Sequence, residues 1–168
     1  MRSKILLCGL LAAALAFGDT VAGLSWTPPG SWKNAGQKPM RVATYTVPAS
    51  GGDLETGECV VSYFGQGQGG SVQANLDRWV GQFQQPTSKQ TGKKTIKGLN
   101  VTTVDVTGTY MGMGGPMATT HTAKKGYRLL GAIVEGPQGA VFFKFTGPAK
   151  TVAAGQATFD KLLDTLKK

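Results

Sequence analysis

Phe64 to Phe83, FGQGQGGSVQANLDRWVGQF, decides the fold of this chain. Before it stands a strand-like run, Glu58-Cys-Val-Val-Ser-Tyr-Phe64, which stops at closely spaced glycines. After the glycines, Val72, Leu76, Trp79, Val80 and Phe83 recur at helical spacing on one apolar stripe. Ser71 has the chemistry of an N-cap, and Pro86 lies just past the expected helix end. The stretch therefore predicts a strand, a glycine loop and a covering helix. Such a unit leaves backbone N–H groups free at the helix N-terminus, where an anionic group can bind. Gly67, Gly69, Gly70 and Ser71 are the candidate residues for that anion or for a partner. Asn75 and Arg78 join them as polar residues off the apolar stripe.

The N-terminus reads as a secretory signal. Arg2 and Lys4 precede an uncharged apolar run from Ile5 to Phe17, and small residues follow. This predicts a signal peptide over residues 1–22, cleaved after Gly18 or after Ala22, and a single domain over 23–168. The apolar run is shorter than the ~20 residues that span a bilayer, and no other stretch is a transmembrane candidate. Too few apolar residues precede Cys8 for a lipoprotein signal. The expected location is the periplasm or the exterior.

Eighteen Lys and Arg, less Arg2 and Lys4, leave 16 against 9 Asp and Glu when cleavage precedes Asp19, a net charge of +7. Cys59 becomes the sole cysteine after processing, so no internal disulfide can form. Inside a strand it reads as a small buried apolar residue.

Further elements follow from alternation and turn chemistry. Met40 to Val47 reads as a strand paired in a hairpin with Glu58 to Phe64. Lys89 to Lys97 reads as a polar basic loop. Asn100 to Tyr110 alternates over a long strand, with Thr102, Val104, Val106 and Tyr110 on one face. Met111 to Met117, MGMGGPM, reads as a mobile loop. Tyr127 to Glu135 and Ala140 to Phe145 flank Gly136-Pro-Gln-Gly139 as a hairpin. A last helix starts near Pro148, with Val152, Phe159, Leu162, Leu163 and Leu166 on its apolar side. The lead-in WTPPGSW, Trp26 to Trp32, is expected to plug the edge of the core. The class is α+β: an antiparallel sheet covered by amphipathic helices.

The order of these elements, with Trp26 and Trp32 in the lead-in and an amphipathic helix at the end, resembles the PsbP-like fold of extrinsic photosystem II subunits. The pattern is closer to that of uncharacterised small exported bacterial proteins. It is carried by Met40-Arg41, Phe64-Gly65, Gly69 to Val72, Ala74 to Leu76, Arg78-Trp79, Gln82-Phe83 and Phe143 to Pro148. The resemblance implies a PsbP-like α/β/α sandwich, an exported location and a non-enzymatic role. It implies no catalytic residues.

Gly65 to Gly70 matches G-x-G-x-x-G after a strand and before a helix. A dinucleotide site also needs a parallel β-α-β unit and an acidic residue about 20 positions on. The Lys- and Thr-rich stretch that follows supplies neither, so a structural turn is the better account. One histidine, His121, excludes a zinc site built on several histidines. No G-x-S-x-G occurs and carboxylates are sparse, so hydrolase chemistry is not indicated. No cofactor is expected. The alternative is Cu(I) held by the soft donors Met111, Met113, Met117 and His121. The lysines Lys89, Lys93, Lys94 and Lys97 lack interleaved aromatics, which argues against nucleic acid. An envelope protein or an anionic envelope polymer is the expected partner. The function that follows is a non-catalytic binding or assembly module of the bacterial envelope.

Overall fold

The computed structural model describes residues 18–112 and 122–168. In chain order these form β1 (Asp19–Val21), β2 (Leu24–Trp26), β3 (Lys33–Asn34), β4 (Ala43–Val47), β5 (Gly57–Tyr63), α1 (Val72–Val80), β6 (Phe83–Ile96), β7 (Leu99–Tyr110), β8 (Lys124–Gly136), β9 (Gly139–Pro148) and α2 (Ala149–Asp164). Seven strands make one antiparallel sheet in the order β3-β4-β5-β9-β8-β7-β6, and β1 pairs with β2 in a separate ribbon.

The two-residue period of a strand sends alternate side chains to opposite faces. Along β9, Val141, Phe143 and Phe145 meet Val152, Phe159, Leu162 and Leu163 of α2. Phe142, one residue out of phase, meets Leu76 and Trp79 of α1 on the other face. The fold is thus α+β, one antiparallel sheet between two helices. Trp26 and Trp32 are buried in the α2-side core, with Trp26 edge-on to Phe143 at 5.3 Å. Cys59 is fully buried there too, and burial pushes its thiol pKa up.

The β4–β5 and β8–β9 hairpins form as the alternation predicts. Strand β4 begins at Ala43 rather than Met40, because Met40 has a left-handed φ of 63°. Two further corrections concern the stretch after α1. Lys89 to Lys97 is no loop: residues through Ile96 belong to β6, the 14-residue edge strand paired along β7. Between its buried ends, Phe83 and Ile96, the edge strand is exposed on both faces, so it carries no alternation to read; its lysines suit an edge that resists further pairing. The second correction is that α1 ends at Val80. Phe83 opens β6 yet packs in the same cluster as Leu76 and Trp79. Pro86 lies in a register irregularity between Gln84 and Ser88, where a missing N–H costs no ladder bond.

Gly131 fixes how closely α1 lies on the sheet. A Cβ there would stand 2.4 Å from Trp79 Cζ3 and 2.9 Å from Val104 Cγ1. Only glycine lets the indole rest on β8.

Candidate functional site: a cationic cleft beside α1

The open part of the α1 face follows from a mismatch of lengths. Helix α1 has nine residues, about 13 Å at 1.5 Å per residue. A seven-stranded sheet is about 29 Å wide at ~4.8 Å per strand. What α1 leaves uncovered is a cleft of about 970 Å³. Its floor comes from Glu58, Val60 and Ser62 of β5 and Phe142, Lys144 and Thr146 of β9. One wall is Arg78 and Trp79 of α1 with Phe64; another is Tyr110 and Tyr127, and the rim is residues 39–41 and 54–56.

The charges in the cleft fall into two groups. Arg41 Nη1 lies 2.9 Å from Glu58 Oε1, and Lys124 pairs with Glu55, which also accepts from Tyr127 Oη at 2.6 Å. Hydrogen bonding from Lys124 holds the Glu55 carboxyl below its ordinary pKa. Lys144 and Arg78 differ. Among the described residues neither has a carboxylate oxygen within 4.0 Å. Lys144 Nζ donates to Gln82 Oε1 at 2.6 Å and to Tyr110 Oη at 3.2 Å, and it lies 5.4 Å from the Tyr110 ring centroid. Tyr110 in turn stacks on Tyr127, with centroids 5.8 Å apart and planes 4° from parallel. Burial, reinforced by Arg41 and Arg78 and opposed by Glu58, lowers the Lys144 pKa to about 8. Thr146, also lining the cleft, has a buried hydroxyl without a partner among the described residues.

Of the six candidate residues chosen from the helix start, Arg78 lines this cleft. Its guanidinium donates to Asn75 Oδ1. Asn75 is buried, and its amide donates to Gly69 O at 2.7 Å and Ser71 O at 2.9 Å. Ser71 Oγ accepts from Ala74 N at 3.1 Å, as an N-cap does. Gly69 and Gly70 have φ of 90° and 79°, and Gly67 has φ of 70° with open space around it. These groups hold the loop against α1 and so aim Arg78. Of the candidate copper donors, Met111 donates its backbone N–H to Gln82 O at 2.8 Å; Met113, Met117 and His121 lie outside the described residues. Asp105 sits on the opposite face, gripped by Arg128 Nε at 2.9 Å and Nη2 at 2.6 Å.

Lys144 is the residue that the sequence reasoning missed as a site. It lies in Val141-Phe-Phe-Lys-Phe145, and a single lysine inside an apolar strand was the available signal.

No protein-family model matches the chain, and no curated protein matches it by sequence. Solved structures do. The solution structure of cyanobacterial PsbP (CyanoP) from Synechocystis is similar with a TM-score of 0.54 at 12% identity, covering 97% of this chain and 98% of that one. A Pseudomonas aeruginosa protein of unknown function, a putative regulator, is similar with a TM-score of 0.51 at 12% identity, covering 83% of this chain and 98% of that one. The fold is PsbP-like, shared with proteins that include an uncharacterised one.

Proposed function

We propose that this chain is an exported, non-catalytic binding or assembly module of the bacterial cell envelope, and that the cleft beside α1 is its binding site for an anionic group. One observation supports the site: two cations, Lys144 and Arg78, line one cleft, and among the described residues neither has a carboxylate oxygen within 4.0 Å. A partly buried ammonium without a counter-charge is disfavoured, and an anion bound between Lys144 and Arg78 relieves that cost. The pairs Arg41–Glu58 and Lys124–Glu55 are each partly open to solvent and contribute little by themselves. Support for export is the basic, then apolar, then small-residue order of residues 1–22.

Titration of the isotope-labelled mature domain with octanoate and with inorganic phosphate tests the site by NMR. The expected amide shifts cluster at Arg78, Trp79, Tyr127 and Lys144 and are lost in Lys144→Met. Shifts confined to the lysines of β6, or none, overturn the assignment of this cleft.

A further inference from the structure

Resting on the anion-binding assignment of the cleft, we infer that its ligand is a single-chain amphiphilic anion, with its headgroup at Lys144 and Arg78 and its apolar chain between Met40 and Leu54. Met40 is 72% exposed and Leu54 is 99% exposed, and they are the exposed large hydrophobic side chains among the described residues. Both stand on the rim of this one cleft. They come from separate segments, before β4 and before β5, so sequence proximity does not explain their convergence. Scattered surface hydrophobics are ordinary; two that flank a cation-floored cleft make a concave site with a charged end and an apolar end.

The interior agrees with that polarity. Between floor and rim the lining includes Val60, Phe64, Trp79 and Phe142. Sites of this kind, mostly apolar with few placed polar groups, bind small organic molecules, and ~300–1,000 Å³ is their usual size. The cleft, at about 970 Å³, is far larger than an inorganic anion needs. An anionic polysaccharide, which has no alkyl chain, leaves the Met40 and Leu54 side chains unused. An alkyl chain covers them, and each fully buried methylene is worth about fourfold in affinity.

The test is calorimetric titration of the mature protein with butanoate, octanoate and dodecanoate, each kept below micelle formation, beside sedimentation with phosphatidylglycerol vesicles. Affinity is expected to rise at least tenfold from butanoate to octanoate. In the double variant Met40→Ser, Leu54→Ser the rise falls below threefold; both residues are exposed, so the fold tolerates the exchange. Affinity independent of chain length overturns the amphiphile and leaves the anion site standing. No binding of any carboxylate, together with none of inorganic phosphate, overturns both. Binding to vesicles with none to monomeric alkanoates also overturns the inference, since the ligand is then a membrane surface.

Discussion

Lys144 Nζ reaches 2.6 Å from Gln82 Oε1, joining the middle of β9 to the turn between α1 and β6. A neutral amide thus holds an ammonium that has no carboxylate within salt-bridge range among the described residues. The cleft keeps its charge available to a ligand because its own polar contacts do not neutralise it.

This arrangement fixes a pH dependence. Lys144 titrates near 8 in the folded chain, lowered chiefly by burial, against about 10.4 unfolded. The unfolded chain therefore binds more protons between those values, and stability rises with pH across that window. The cost of the buried charge is fully present below about pH 8. Urea denaturation of wild type and Lys144→Met at pH 7 and pH 9.5 checks this: the wild type gains stability relative to the variant as pH rises. Anion affinity moves oppositely, weakening as the amine deprotonates.

Gly131→Ala places a methyl 2.4 Å from the Trp79 ring. The expected loss is about 1–3 kcal/mol from overpacking, read from the urea midpoint. Because α1 must lift, Arg78 moves with it and alkanoate affinity falls too. Gly67→Ala, at a loop position with open space, serves as the comparison. It costs only the strain of its positive φ and leaves the cleft unchanged.

At the N-terminal end, Trp26 Nε1 donates to Tyr45 Oη at 2.8 Å, and Tyr45 Oη donates to Asp19. Tyr45 is fully buried, and burial together with Asp19 pushes its pKa up. Losing Asp19 strands this hydroxyl, so Asp19→Ala costs about 1–3 kcal/mol in thermal or urea unfolding. A mature chain starting at Gly23 lacks all of β1 and this acceptor. On the proposed export, mass spectrometry of the processed chain is therefore expected to find Asp19 as its first residue; Gly23 there contradicts a structural role for β1.

Ser71→Ala removes the cap on Ala74 N at a cost of about 1 kcal/mol. Asn75→Ala is more severe, because it frees the Gly69 carbonyl and the Arg78 guanidinium together. The two variants separate in ligand titration. Ser71→Ala keeps alkanoate binding, whereas Asn75→Ala weakens it several-fold by releasing Arg78.

The long alternating strand of Asn100 to Tyr110 and both helices were legible because one-sided burial leaves a period in the sequence, and the β8–β9 hairpin because Gly136-Pro-Gln-Gly139 marks its turn. Strand β6 was not, since exposure on both faces erases the period. Its turn was nonetheless marked: Lys97 and Gly98 both have positive φ, 47° and 77°, in the two-residue form that hairpins favour. Site legibility divided the same way. Arg78 was visible as a cation off an apolar stripe. Lys144 could be recognised only by asking why a lysine interrupts four apolar residues, and its companions Tyr110 and Gln82 are 34 and 62 positions away. Rim positions such as Leu54, in a turn-rich segment, carry no periodic signal at all.

The most direct measurement is the pH titration of the Lys144 Cε resonance in the ¹³C-lysine-labelled mature protein, assigned by its loss in Lys144→Met. The expected midpoint is near 8 and moves upward when octanoate saturates the cleft, because a bound carboxylate favours the charged amine. A midpoint at the ordinary lysine value of about 10.4, unmoved by octanoate, contradicts it.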